Sequence, residues 1–203
     1  MADFVHLTNK TEYSLSEGAL PIARIAELCQ SFSMPAVGIS DNNNMFGALE
    51  FSEQIAKVGV QPILGCNIKI KTPKEYLHEN IEDNDLYFYL NIFSKNNEGY
   101  ENLLKCVSNA YTLNKGNACV TVDDLIKLKE GLIILSGGNN SILTHSTGHM
   151  ITKQSQQFIS DFKKEFNDNF YIEIQRFGSV DYRLNEEAVL NLAYDYQIPL
   201  VAT

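Results

Sequence analysis

The residue types best suited to metal or acid–base chemistry are histidines, and this chain has four: His6, His78, His145 and His149. His145 and His149 have the i, i+4 spacing of two ligands on one helix face. Gly148 and its Ser-Thr-Gly setting disfavour a helix there, so metal binding is not expected of the pair. His78 falls in a polar stretch and is expected to be exposed, whereas His6 is expected to be buried with a satisfied hydrogen bond. Cys29, Cys66, Cys106 and Cys119 are far apart with no Cys-x-x-Cys pair, which points to reduced, partly buried thiols rather than a structural zinc site. The run Gly137-Gly138-Asn139-Asn140-Ser141 lacks the Lys-Ser/Thr ending of a phosphate-binding loop and reads as a turn. Tyr87, Phe88, Tyr89, Tyr100 and Tyr111 could stack on bases, but in an acidic chain they read mostly as core and interface residues.

The elements that must position these residues alternate between β-like and helical periodicity. Strands are expected over 4–7, 36–39, 62–70, 86–93, 132–135, 170–175 and 199–202. Helices are expected over 18–31, 46–58, 98–111, 122–129, 155–166 and 184–196. A polar insertion interrupts the pattern near 72–85, and Asn42-Asn43-Asn44 reads as a loop tolerant of left-handed backbone, with Asp41 or Asn44 capping the next helix. Repeated βα units with apolar strands predict a parallel sheet covered by helices, which at this length can close into a β/α barrel with its site at the C-terminal strand ends. A length of 203 residues and 44% hydrophobic content suit one domain with a sizeable core. No signal-peptide pattern is present, and no apolar run approaches the roughly 20 residues needed to cross a bilayer, so a soluble cytoplasmic protein is expected. The formal net charge of -9 argues against a surface that grips DNA, and Lys69, Lys71 and Lys74, or Lys163 and Lys164, read as solvated faces.

Several motifs converge on one family. Phe4-Val5-His6-Leu7-Thr8-Asn9-Lys10-Thr11-Glu12-Tyr13-Ser14 resembles the opening Phe-Val-His-Leu-His-x-His-Thr-x-Tyr-Ser of the PHP domain (polymerase and histidinol phosphatase) at the N-terminus of bacterial replicative DNA polymerase III alpha subunits. Gly38-Ile39-Ser40-Asp41-Asn42-Asn43-Asn44-Met45-Phe46-Gly47 resembles its Thr-Asp-His-Gly-Asn-Met-x-Gly, and Pro62-Ile63-Leu64-Gly65-Cys66-Asn67 its Pro-Ile-x-Gly-x-Glu. Tyr89-Leu90-Asn91-Ile92-Phe93-Ser94-Lys95-Asn96 with Gly99-Tyr100-Glu101-Asn102-Leu103, then Gly131-Leu132-Ile133-Ile134-Leu135-Ser136-Gly137-Gly138 and Tyr171-Ile172-Glu173-Ile174-Gln175-Arg176-Phe177-Gly178, extend the match over essentially the whole chain.

What the resemblance implies is a distorted PHP-type, TIM-like β/α barrel over residues 1–203, truncated within its last strands, with the remainder of a polymerase alpha chain following. It also implies that seven ligand-type positions have changed: Thr8, Lys10, Asn42, Asn67, Tyr89, Gly138 and Phe177 stand where histidine, glutamate or cysteine is usual. A hydroxyl and carboxamides are poor ligands for zinc-like ions, and an ammonium repels a cation. Glu17 and Asp41 remain as weak candidates for magnesium, with a solvated loop carboxylate as the blander reading. The expectation is a fragment with no catalytic residue, cofactor or metal of its own, magnesium belonging to the polymerase part, that supports that part and docks a proofreading exonuclease subunit. The alternative is a metal-dependent phosphoesterase of 3′-5′ exonuclease, pyrophosphatase or histidinol phosphatase type, and a free-standing binding domain of similar fold is a third, weaker reading.

Overall fold

A computed structural model describes residues 4–77, 86–113, 116–138, 141–143, 152–176 and 180–203, with the backbone alone for 180–185. His78, His145, His149, Asn139, Asn140 and Phe177, and most of the polar insertion, lie outside the described residues. The chain builds α1 (Ile22–Ser31), β1 (Ala36–Asn42), α2 (Ala48–Lys57), β2 (Gln61–Lys71), β3 (Tyr87–Ser94), α3 (Asn97–Thr112) and β4 (Val120–Thr121). It continues through α4 (Val122–Lys127), β5 (Leu132–Leu135), α5 (Lys153–Phe166), β6 (Phe170–Ile174), α6 (Val180–Asp195) and β7 (Leu200–Ala202).

One curled sheet, ordered β1-β2-β3-β5-β6-β7 with the short β4 beside β2, carries helices against it as an open half-barrel. The α/β architecture agrees with the expectation, but the sheet is mixed. β3 runs antiparallel to both β2 and β5, while β1–β2, β5–β6 and β6–β7 are parallel. A parallel neighbour needs a crossover, usually a helix. Between β2 and β3 the described chain offers only the short 3-10 turn Lys74–Tyr76, so β3 returns beside β2 in the opposite sense.

The expected first strand is not a regular one. Residues 4–10 form no ladder, although Gly38 N–H donates to the His6 carbonyl (2.7 Å) and Ser40 N–H to that of Asn9 (2.8 Å), laying the segment along the free edge of β1. Glycine makes this approach possible, because a Cβ at position 38 would sit 2.3 Å from the Leu7 carbonyl oxygen. The helix expected from residue 18 starts only at Ile22. Pro21 lacks an N–H and occupies the N-cap, and the preceding residues make turns on Ser14. Asn43 does adopt a left-handed φ of 49°. Asn44 accepts from the Phe46 N–H (3.2 Å) in the turn before α2, but no side chain caps that helix, and Asp41 is engaged elsewhere.

Two apolar clusters hold the sheet. The larger packs Ile68, Leu90, Ile92 and Ile134 against α3, α5 and α6, with a set of edge-on and tilted Phe158, Phe162 and Phe170 rings at its centre. The smaller seals α1 and α2 onto β1 through Ile22, Ile25, Val37, Phe51 and Ile55. All four cysteines are buried as thiols, more completely than expected. No helix among the described residues is long and apolar enough to cross a membrane.

Candidate functional site

The curl of the sheet brings its two edges to one cavity of about 640 Å³, lined by Thr8 and Lys10 from the N-terminal segment, Asn67 of β2, Asn91 of β3, Gln175 after β6 and Thr203 after β7. Sheet register explains why Asn67 and Asn91 share its floor, with Asn42 next to them in the sheet. Asn42 is paired with Asn67 across β1 and β2, and Asn67 with Asn91 across β2 and β3. Alternation along each strand therefore turns these three side chains to one face. Because β3 is antiparallel, Asn91 reaches the cavity from the middle of its strand, with Tyr89 two residues before it, while Asp41 and Asn42 close the C-terminal end of β1 and Gly138 follows that of β5.

A directional hydrogen-bond chain crosses the floor. Asn67 Nδ2 donates to Asn91 Oδ1 (2.8 Å), which also accepts from Ser40 Oγ (2.7 Å), and Asn91 Nδ2 donates to Glu173 Oε2 (2.8 Å). The other oxygen of Glu173 accepts from Gln175 Nε2 (2.7 Å) and Thr203 Oγ1 (2.6 Å). Glu173 is 2% exposed, and its burial raises the pKa above the ordinary carboxyl value while the donors Thr203, Asn91 and Gln175 pull it back down. At the opposite end, the Oδ1 atoms of Asn67 and Asn42 are buried with no hydrogen-bond partner among the described residues.

The residues singled out by sequence separate into distinct roles. Lys10 Nζ pairs with Glu17 Oε2 at 2.7 Å, and this bond, then one from the Asn42 amide, lowers the Glu17 pKa. Glu17 is mostly exposed, so the pair sits at the cavity mouth. Asp41 is buried and fully committed. Its Oδ1 accepts from Thr11 N–H (2.7 Å) and Ser14 Oγ (2.6 Å), and its Oδ2 from Thr11 Oγ1 (2.7 Å). The three bonds tie the N-terminal loop to the end of β1. Half-buried Tyr89 has its pKa raised by desolvation first and by the Glu17 charge second, which places its hydroxyl within electrostatic reach of the Lys10–Glu17 pair. At Gly138 the backbone has a φ of +53°, and a Cβ there would lie 2.2 Å from Gln175 Oε1, so the glutamine amide fills that space. His6 is exposed rather than buried, its ring edge-on to Phe4 at 4.7 Å. It lies on the irregular segment, outside the clusters that bury the strands.

Sequence reasoning gave no role to Asn91, Glu173 or Gln175. Their signal was present: Asn91 and Glu173 interrupt the apolar runs Leu90–Ile92 and Ile172–Ile174, where a buried polar side chain must find partners. Among the described residues, no three His, Cys, Asp or Glu side chains stand close enough to hold a metal ion.

Comparison with known proteins places this geometry in context. The family profile described as PHP domain matches residues 6–177. Relatives named DNA polymerase III subunit alpha are 34% identical in Rickettsia felis over 99% of this chain and 35% identical in Caulobacter vibrioides over 98% of it. The chain spans only 16% and 17% of the length of those two curated relatives. Among solved structures, an amidohydrolase from Chromobacterium violaceum with bound sulfate and no metal superposes with a TM-score of 0.62 at 11% identity, over 97% of this chain and 84% of the other. A proposed metal-dependent phosphoesterase from Bifidobacterium adolescentis gives 0.60 at 12% identity, over 100% of this chain and 87% of the other. At such identities the likeness concerns the fold alone.

Proposed function

The chain belongs to the PHP domain family, and from that premise we propose that it is a non-catalytic PHP domain of a bacterial DNA polymerase III alpha subunit, working in the cytoplasm. Its task is to support the neighbouring polymerase part and to dock a proofreading exonuclease subunit. DNA synthesis, with its magnesium, belongs to the rest of the polymerase chain, and this domain contributes little DNA affinity of its own, in keeping with a charge of -9.

The observation that carries the reading is the chemistry of the cavity. A zinc-like ion needs several deprotonated nitrogen, sulfur or carboxylate ligands at one point. Here Thr8 and Asn67 offer neutral oxygens, Lys10 brings a positive charge, Gln175 fills the space beside Gly138, and every oxygen of Asp41 is already bonded. The residues present therefore do not fit a divalent transition metal. Metal-dependent phosphoester hydrolysis depends on such ions to generate hydroxide and stabilise the transition state. Docking is favoured by exposed apolar side chains at the start of α2, Phe46 and Leu49, where Tyr13 anchors the adjoining loop by its bond to Glu50 (3.1 Å).

The test is hydrolysis of 3′-ended DNA and of a phosphomonoester with added zinc, manganese or magnesium. The reading expects no turnover above that of a heat-denatured control. Metal-dependent turnover abolished by Asp41→Asn would replace it with the phosphoesterase alternative.

A further inference from the structure

Resting on the reading that the domain docks a proofreading exonuclease subunit, we propose that the segment the partner inserts is basic, an apolar anchor flanked by Lys or Arg, received by Phe46 and Leu49 beside an acidic rim. Phe46 is 74% exposed and Leu49 70%, on either side of the buried Gly47 and Ala48. Their backbone is held from below. Phe46 N–H donates to Asn44 Oδ1 (3.2 Å), Phe51 N–H donates to the Gly47 carbonyl (2.8 Å), and Tyr13 lies so close to Gly47 that a Cβ there would stand 2.8 Å from its ring. A surface fixed before it meets its partner loses little conformational freedom on binding. Two residues along the loop from Tyr13, Leu15 is 85% exposed. Single exposed apolar residues are ordinary, but a fixed pair with a third on the adjoining loop marks an interaction surface.

The charges around this pair select what it receives. Glu50 and Glu53 are exposed on α2 with Leu49, Glu53 at the i+4 position from it. Tyr13, whose hydroxyl donates to Glu50 Oε2 (3.1 Å), has its pKa raised first by that bond and the Glu50 charge, then by partial burial and the charges of Glu12 and Asp41. The charges that act most on the phenol are therefore carboxylates. Of the lysines on these two segments, Lys10 is held by Glu17 at 2.7 Å and Lys57 lies at the far end of α2. Such a rim repels phosphate-bearing partners and draws in Lys and Arg. The long stems of those residues cover apolar surface while their heads reach carboxylates.

The test uses the full-length alpha chain with Phe46 replaced by photo-reactive benzoylphenylalanine, cross-linked to the exonuclease subunit and mapped by mass spectrometry. Binding kinetics of Glu50→Gln, Glu53→Lys accompany it, the glutamine still accepting from Tyr13. The expected cross-link falls in a segment with Lys or Arg on both sides of its apolar anchor. Association of the charge variant should slow about tenfold at low salt, a difference that vanishes as salt is raised. Phe46→Asp, Leu49→Asp should speed dissociation at least about tenfold. A cross-link to an acidic or uncharged segment, or an association rate unmoved in the charge variant, overturns the proposal while leaving the docking reading intact. Full affinity in Phe46→Asp, Leu49→Asp does the same and moves docking to another face. A wild-type chain that does not bind the subunit at all would instead contradict the docking reading.

Discussion

On the proposed reading Lys10 stands in for a ligand histidine, and its ammonium competes for the space and the counter-charge a metal would use. Lys10 takes Glu17 as its partner, and the bond lowers the Glu17 pKa. A group with a depressed pKa in the folded state adds stability above its unfolded value and loses it as pH falls through the folded value. Because Glu17 is mostly exposed, Lys10→Met should cost no more than about 1 kcal/mol in urea unfolding and should raise the Glu17 pKa measured by NMR titration. Glu173 behaves in the opposite sense. Its raised pKa means that the folded state binds the proton more tightly, so its contribution is greatest below the ordinary value of 4.5 and declines as pH rises toward the folded value. Glu173→Gln should flatten the stability-versus-pH curve above that point. An unchanged slope would show that the carboxylate is not coupled to folding. The seven positions proposed as exchanged ligands came from the family resemblance of the motifs. The partners that now occupy the cavity were not legible in the sequence, because Asn91 and Glu173 acquire meaning only when register sets Asn67 opposite Asn91 and the curl brings β6 within reach.

At the scale of elements, the junction between β3 and α3 shows how a short motif fixes geometry. Asn96 caps α3 by accepting the Gly99 N–H at 2.9 Å, while a Cβ at Gly99 would lie 1.8 Å from the Gly131 carbonyl, and Gly131 itself has a φ of +72°. Removing the cap with Asn96→Ala should cost about 0.5–2 kcal/mol. Gly99→Ala forces the helix off the turn before β5 and should cost about 1–3 kcal/mol, as overpacking usually does. Both are read by chemical denaturation, and a neutral Gly99→Ala would mean that the two glycines are not in contact. Strand and helix positions were mostly legible, since apolar periodicity reports burial. Strand direction was not: nothing in Leu86 to Phe93 distinguishes a strand that returns antiparallel beside β2 from one delivered by a crossover. The opening segment misled for a related reason. Its residues look β-like, but the close approach at Gly38 leaves it as an irregular edge rather than a paired strand.

For the whole molecule, the floor of the half-barrel's cavity is tied together by side-chain hydrogen bonds, and the chain is acidic. The net charge of -9 should leave duplex and single-stranded DNA affinity weak at physiological salt, with residual binding abolished by a modest rise in ionic strength in fluorescence anisotropy. If Phe46 and Leu49 form part of the docking surface, the double change Phe46→Asp, Leu49→Asp should weaken capture of the exonuclease subunit without lowering the unfolding midpoint. The central claim, that this PHP domain holds no catalytic metal, is met most directly by the zinc and manganese content of protein purified without chelator and measured by mass spectrometry. The account predicts far less than one equivalent of either ion. One or more tightly bound equivalents, lost on Asp41→Asn, would contradict it.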